Sequence, residues 1–296
     1  MPFDIRSDAF TTAIPANSRL EEIAGSFGFT EGPIWHPTEH WLIFSDIQES
    51  RQYKWHPDIG LEVFRTPSNQ ANGNFFDRQG RVISCEHASS QLVRHEHDGK
   101  HVVPIATHYD FKELNSPNDV VCDSRGRIWF TDPSFGRIRE PLGILREQEL
   151  PYQGVYRLDP NGTLTLVADD FQQPNGLCLS VDESQLFVND SWGGHIRVLD
   201  VTDDGALTNS RVWAEVTGDG DGVPDGMKTT TEGHILCNGP GGVHLFNAEA
   251  ECLGVILTPQ KSTNFCFGGP ELRTLFITAS TSVYRIETGL TGLAMF

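Results

Sequence analysis

Six times along the chain a polar residue opens a short apolar run, a turn rich in Asp, Ser and Gly follows, and a second apolar run closes the unit. The clearest copy runs from Ser116 to Gly136. Asn118-Asp119 leads through Val120-Val121-Cys122 to a turn at Asp123-Ser124-Arg125-Gly126, then to Arg127-Ile128-Trp129-Phe130-Thr131 and a polar end at Asp132. Short β-branched and aromatic runs bounded by Gly, Asp and Ser read as strands joined by a hairpin. The other copies open at Glu31, Asn72, Asn175, Asp225 and Asn264, and in the copies at Asn72, Asn118 and Asp225 the turn glycine (Gly80, Gly126, Gly233) follows by the same interval of 8 residues.

Successive copies start 41, 46, 57, 50 and 39 residues apart. A period of roughly 40 to 50 residues built from short strands is the mark of propeller blades of four strands each. The expected fold is therefore all-β, a six-bladed β-propeller. Blades related by rotation about one axis bring their equivalent residues into a ring, so Glu31, Asn72, Asn118, Asn175, Asp225 and Asn264 form the candidate site.

The last copy offers only three strands, Asn264 to Phe267, Leu275 to Thr278 and Val283 to Ile286. The run Arg19-Leu20-Glu21-Glu22-Ile23-Ala24 matches the outer strands of other copies, and it is expected to supply the missing strand and close the ring, hiding exposed sheet edges. Residues 1 to about 18 read as a poorly structured arm, and residues 19–296 as one propeller domain without a linker. One copy carries a long insertion from Gly136 to Gly154; a loop of this length in a compact domain is usually functional, and it reads as a lid or side wall of the ring's pocket.

With 22 Lys and Arg against 40 Asp and Glu, the net charge is −18, and no polybasic run appears. That argues against nucleic-acid or anionic-membrane partners, both of which rest on positive charge. The N-terminus lacks a basic lead followed by an apolar core, and no run approaches a membrane span of roughly 18 apolar residues, so a cytoplasmic protein is expected. The six cysteines, none spaced as CxxC, fall mostly in apolar strand runs and read as small buried hydrophobes, with no disulfide expected.

Carboxylate and amide oxygens suit a hard divalent cation. Glu31, Asn175 and Asp225 would supply two negative charges and one neutral oxygen, leaving positions open for water and substrate, as Lewis-acid catalysis requires. No GxSxG elbow is present, and Gly239-Pro240-Gly241-Gly242 reads as a tight turn. His95-x-His97 places two imidazoles on one strand face, but its charged surroundings read as an outer strand and turn. His87, ending a second strand, is either a structural histidine or a hydrogen-bond partner for a sugar hydroxyl.

Taken together, FTEGPIWHP, LNSPNDVVCDSRGRIWFTDPSFG, ELPYQGVYRLDP, QPNGLCLSVDESQLFVND, VPDGMKTTTEGHILCNGPGGVHLF and CFGGPELRTLFITAS resemble the SMP-30/gluconolactonase/LRE family of six-bladed propellers, and most closely its bacterial gluconolactonase branch. The resemblance spans about Leu20 to Ile286, with the motifs in family order. It implies one catalytic divalent metal on Glu31, Asn175 and Asp225, with Ca²⁺ foremost and Mg²⁺, Mn²⁺, Zn²⁺ or Fe²⁺ as alternatives, and a substrate-contacting or metal-contacting Asn118 followed by Asp119. Animal members carry an Arg two residues before that Asn, where this chain has Ser116, so sugar preference must come from local loops. The implied reaction is hydrolysis of a sugar lactone, D-glucono-1,5-lactone or a related aldonolactone. Asp225 is the expected base, while Asn72, His87 and Asn264 line the pocket beside Asn118 and Asp119. The alternatives are a metal-dependent esterase, lactonase or phosphotriesterase on non-sugar substrates, and a non-catalytic ligand-binding propeller.

Overall fold

The computed structural model describes residues 3–97 and 101–296. Six four-stranded antiparallel blades follow one another. Blade I holds Thr30–His36, Trp41–Asp46, Arg51–His56 and Gly60–Arg65; blade II holds Ala71–Phe76, Val82–Glu86, Gln91–His95 and Val102–Ala106. Blade III holds Val120–Cys122, Ile128–Asp132, Gln153–Leu158 and Leu164–Phe171; blade IV holds Pro174–Leu179, Gln185–Asp190, His195–Val201 and Leu207–Glu215. Blade V holds Met227–Thr229, Ile235–Gly239, Gly242–Phe246 and Cys252–Leu257. Blade VI holds Ser262–Gly268, Thr274–Ala279 and Ser282–Glu287, completed by Glu21–Gly25, which pairs Glu21 with Arg285 and Gly25 with Ser282. The expected closure of the ring is thus formed.

Each blade has a neighbour on both faces, which is why its second strand is buried throughout, as in Trp41–Asp46 and Ile128–Asp132. The core lies between blades: Trp35 of blade I stacks on Phe276 of blade VI with centroids 5.1 Å apart, while Trp129 and Val155 of blade III pack with Leu177, Leu186 and Val188 of blade IV. All six thiols are free, and five are buried within strands. His95 is buried at the end of its strand, stacked on Phe64 at 5.3 Å, while His97 is exposed in the following turn, so the two do not converge.

Residues 3–18 differ from the poorly structured arm expected of residues 1 to about 18, of which the first two lie outside the described residues. Phe3–Ile5 adds a fifth strand to blade V, pairing Phe3 with Ile256. Asp8–Ala13 forms a helix whose N-cap Ser7 accepts the Ala9 N–H at 3.3 Å. Phe10 and Ile14 are fully buried, and Phe10 packs so close to Gly254 that a Cβ there would lie 2.6 Å from its ring. A helix of six residues is too short to stand alone, and it forms because its apolar face is covered by blade V. The C-terminal residues return across the opposite end of the channel from the ring: Gly292 N–H donates to Leu272, and Phe296 sits edge-on to Phe76 at 5.1 Å and to His36 at 5.2 Å. Among the described residues no helix is long and apolar enough to cross a membrane.

Candidate active site

The six ring residues stand at or just before the start of each blade's first strand, and all six are buried. Their carbonyls are braced by the neighbouring blade. Ser45 Oγ donates to Asn72 O (2.8 Å), Thr131 Oγ1 to Asn175 O (2.7 Å), and Asn189 Nδ2 to Asp225 O. Backbone bonds join Gly73 N to Asn118 O and Gly226 N to Thr263 O, each 2.8 Å. Such close approach needs glycine: a Cβ on Gly176 would lie 2.1 Å from Asp225 O. A second repeated device sits one residue beyond the bracing side chain. Asp46 accepts the N–H groups of Gly28 and Phe29, Asp190 those of Gln172 and Gln173, and Asp132 that of Asn115, so the loop entering each of these blades is fixed by its own second strand.

The carboxylates of Glu31, Asp119 and Asp225 face one another across the axis. Burial first, and then the charges of Asp225 and Asp119, raise the Glu31 carboxyl well above the usual range. Burial also raises Asp225, with Asp119 adding, while Lys261, a hydrogen bond from Asn175 and Arg139 pull it back. Asp119 is raised by burial and lowered chiefly by Lys228. Dry, mutually repelling carboxylates are what a bound cation would relieve. Among the described residues no three His, Cys, Asp or Glu side chains are grouped to hold an ion by themselves, so a cation here must also draw on amide oxygens. Asn175 fits that need: its Nδ2 donates to Ser191 Oγ (3.0 Å), itself bonded to Pro224 O (2.7 Å), which turns the amide so that its oxygen is left for a ligand.

The substrate-lining candidates take distinct places. Asn118 is held through its backbone, donating N–H to Thr131 O at 2.9 Å. Asn264 Nδ2 lies 3.4 Å from Asp119 Oδ2, and Asn72 Oδ1 is buried without a partner. His87 is engaged at both nitrogens: Nδ1–H must donate to Leu142 O (2.7 Å), which leaves Nε2 to accept from Asn72 Nδ2 (3.0 Å). The imidazole therefore orients Asn72, and both ring nitrogens are occupied before any hydroxyl arrives.

Burial lowers His87 to about 4 and His95 to about 3. Above pH 6.5 neither ring affects stability. As pH falls from 6.5 the unfolded chain takes up protons that the folded rings refuse, so each costs up to about 3 kcal/mol by pH 4. Buried carboxyls with raised values act in the opposite sense, so the check is a difference: thermal melts from pH 7 to 4 should fall less steeply in His95→Gln than in the wild type. Equal slopes would refute the neutral buried ring.

The Gly136–Gly154 insertion packs against this side of the mouth. Its helix Phe135–Ile138 carries Arg137, which is buried and donates to Asn115 O (2.7 Å), Leu114 O (2.6 Å) and Glu147 O (2.6 Å) and pairs with Glu113 (2.5 Å). Ser116 is fully buried, donates to Pro133 O (2.6 Å) and accepts Gly136 N–H (3.0 Å), so it anchors the insertion instead of reaching the substrate. The bracing residues Ser45, Thr131 and Asn189, with the Asp after each, have a visible signal: Phe-Ser-Asp, Phe-Thr-Asp and Val-Asn-Asp end otherwise apolar second strands. Lys228 and Lys261 have none, because each is a lone cation in its stretch of sequence, and the site residues they act on are not marked by any local pattern.

Comparison with known proteins bears on the family and the fold. The SMP-30/Gluconolactonase/LRE-like region matches residues 29–281. A gluconolactonase of Zymomonas mobilis is 31% identical over 98% of this chain and 86% of its own length, and the pentonolactonase XacC of Haloferax volcanii is 25% identical over 84% and 81%. The solved structure of a gluconolactonase from Xanthomonas campestris superposes with a TM-score of 0.91 at 33% identity, covering 97% of this chain and 95% of that one. With the six blades, the axial ring and a family match over most of its length, the chain belongs to the SMP-30/Gluconolactonase/LRE-like family.

Proposed function

We propose that the protein is a metal-dependent hydrolase of sugar lactones, opening D-glucono-1,5-lactone or a related aldonolactone to the aldonic acid. The observation that carries this reading is the convergence of Glu31, Asn175 and Asp225, all buried, at one mouth of the channel, with amides around them. Relatives named gluconolactonase and pentonolactonase support the substrate class.

Glu31, Asn175 and Asp225 would hold one divalent cation, Ca²⁺ foremost, which when bound supplies Lewis acidity toward the lactone carbonyl and offsets the carboxylate charge. Asp225 takes the proton of the attacking water as the bond from water oxygen to the carbonyl carbon forms, and returns it to the ring oxygen as the bond between that oxygen and the carbonyl carbon breaks. Amide groups of Asn118, Asn72 and Asn264 orient the carbonyl and ring hydroxyls, each being fixed beforehand by its backbone or by His87. A ring of amides favours a hydroxylated substrate, because buried polar groups left unpaired by an apolar one carry a desolvation cost.

The test is lactone hydrolysis followed by pH indicator, corrected for spontaneous opening, on EDTA-stripped protein re-supplied with Ca²⁺, Mg²⁺, Mn²⁺, Zn²⁺ or Fe²⁺ in turn. Turnover lost on stripping, with the circular-dichroism spectrum intact, and restored by cation is the expected result. Undiminished turnover in the stripped protein would sink the metal requirement. No turnover with any cation on folded protein would sink the sugar-lactone reading.

A further inference from the structure

Lys228 has no part in the chemistry above, yet it reaches the ring from within. It lies in the first strand of blade V, three residues beyond Asp225, and is half-buried. Its Nζ donates to Asn264 Oδ1 at 3.2 Å and stands 5.7 Å from the centroid of the Phe265 ring. Asn264 Oδ1 also accepts the Phe265 N–H at 2.9 Å. An amide oxygen held by two donors fixes which way the group faces, so Nδ2 is committed to the other side, toward Asp119 Oδ2. Below, Lys228 borders a cavity of about 130 Å³ whose lining mixes Phe75, Val121 and Phe267 with Arg78, Glu183 and Thr229. The ammonium therefore lies between this cavity and the ring, on the side of Asn264 and Asp119.

We propose that Lys228 is the fixed counter-charge of Asp119: through Asn264 it is held beside that carboxylate, reduces the negative charge that Glu31, Asp119 and Asp225 together present to a cation, and positions the Asn264 amide against Asp119. This rests on the metal reading above. A fixed positive charge weakens the binding of every cation, and weakens it in proportion to that cation's own charge. Lys228 thereby selects a divalent over a trivalent ion and keeps a second cation out of the channel. It is a positioning residue, touching no reacting atom.

The experiment is calorimetric titration of EDTA-stripped wild type, Lys228→Met and Lys228→Arg with Ca²⁺ and, separately, with La³⁺. Methionine keeps the length and the packing on Phe265 without the charge. Affinity for Ca²⁺ is expected to rise about tenfold or more in Lys228→Met, and affinity for La³⁺ to rise by a larger factor, so that the La³⁺/Ca²⁺ preference shifts. Lys228→Arg should keep the wild-type preference, which a purely structural role would not predict. Lys228→Gln replaces the Met variant if that chain fails to fold. An unchanged La³⁺/Ca²⁺ ratio in folded neutral variants, beside a wild type that binds Ca²⁺, overturns the proposal alone. A wild type that binds neither ion overturns the metal reading and the counter-charge role together.

Discussion

Asp225→Asn is expected to lower kcat for D-glucono-1,5-lactone by about 10² to 10⁴-fold while making the metal-free protein more stable. Asn keeps the shape of the side chain and an oxygen for a ligand, but cannot take the proton of the attacking water. The stability gain follows from the same burial. The Asp225 carboxyl is raised in the folded chain by its dry surroundings and by Asp119, so ionising it costs folding free energy as pH rises above the ordinary Asp range. Removing that charge removes the cost. The metal-free variant should melt about 2 °C or more above the metal-free wild type at pH 8, and the gap should close toward pH 4, where the wild-type carboxyl is protonated. Indicator assays and melts at the two pH values check both halves. Full turnover in the variant would end the assignment of Asp225 as base, and a lower melting temperature at pH 8 would show that the carboxylate stabilises the ring by a contact not described above.

The second large effect lies far from the ring. Phe10→Ala should destabilise the chain by about 3 to 5 kcal/mol, the usual cost of emptying a buried aromatic site. Phe10 is fully buried between blade V and the segment Phe3–Ile5, pairs edge-on with Phe3 at 6.0 Å, and packs against Gly254. Little relaxation can fill the gap, because the backbone of Gly254 already lies against the ring. Turnover at temperatures well below the transition should be unchanged, since the site is built by other blades. Denaturant unfolding of the variant measures the loss. A change under 1 kcal/mol would mean that the helix Asp8–Ala13 is loosely attached in solution.

These two positions mark how far the sequence could be read. The ring was legible because a propeller repeats: Asp225 is the fifth appearance of a residue already seen at Glu31, Asn72, Asn118 and Asn175, and repetition turns a weak local pattern into a strong global one. Phe10 repeats nothing. Its helix has six residues and two buried side chains, too few for a period, and only the surface of blade V makes it form. His87 shows the same limit inside the site. Its place at a strand end put it near the pocket, but the Leu142 carbonyl that takes its Nδ1–H comes from an insertion of irregular backbone, which no pattern could aim. Lys228 was silent for a similar reason: its partner Asn264 is 36 residues away, in the next blade.

The strand that closes blade VI has a consequence for how the chain is made. Glu21–Gly25 leaves the ribosome early, while its partner Ser282–Glu287 is among the last segments to appear. At ordinary synthesis rates the two are separated by about 13 to 50 s. During that interval the early strand must stay solvated and unpaired while blades I to V assemble behind it. Glu21 and Glu22, both exposed, suit it to the wait, since charged side chains discourage pairing with the wrong edge. A nascent chain stalled before residue 282 should therefore keep its first strand open to proteases after the earlier blades have become resistant.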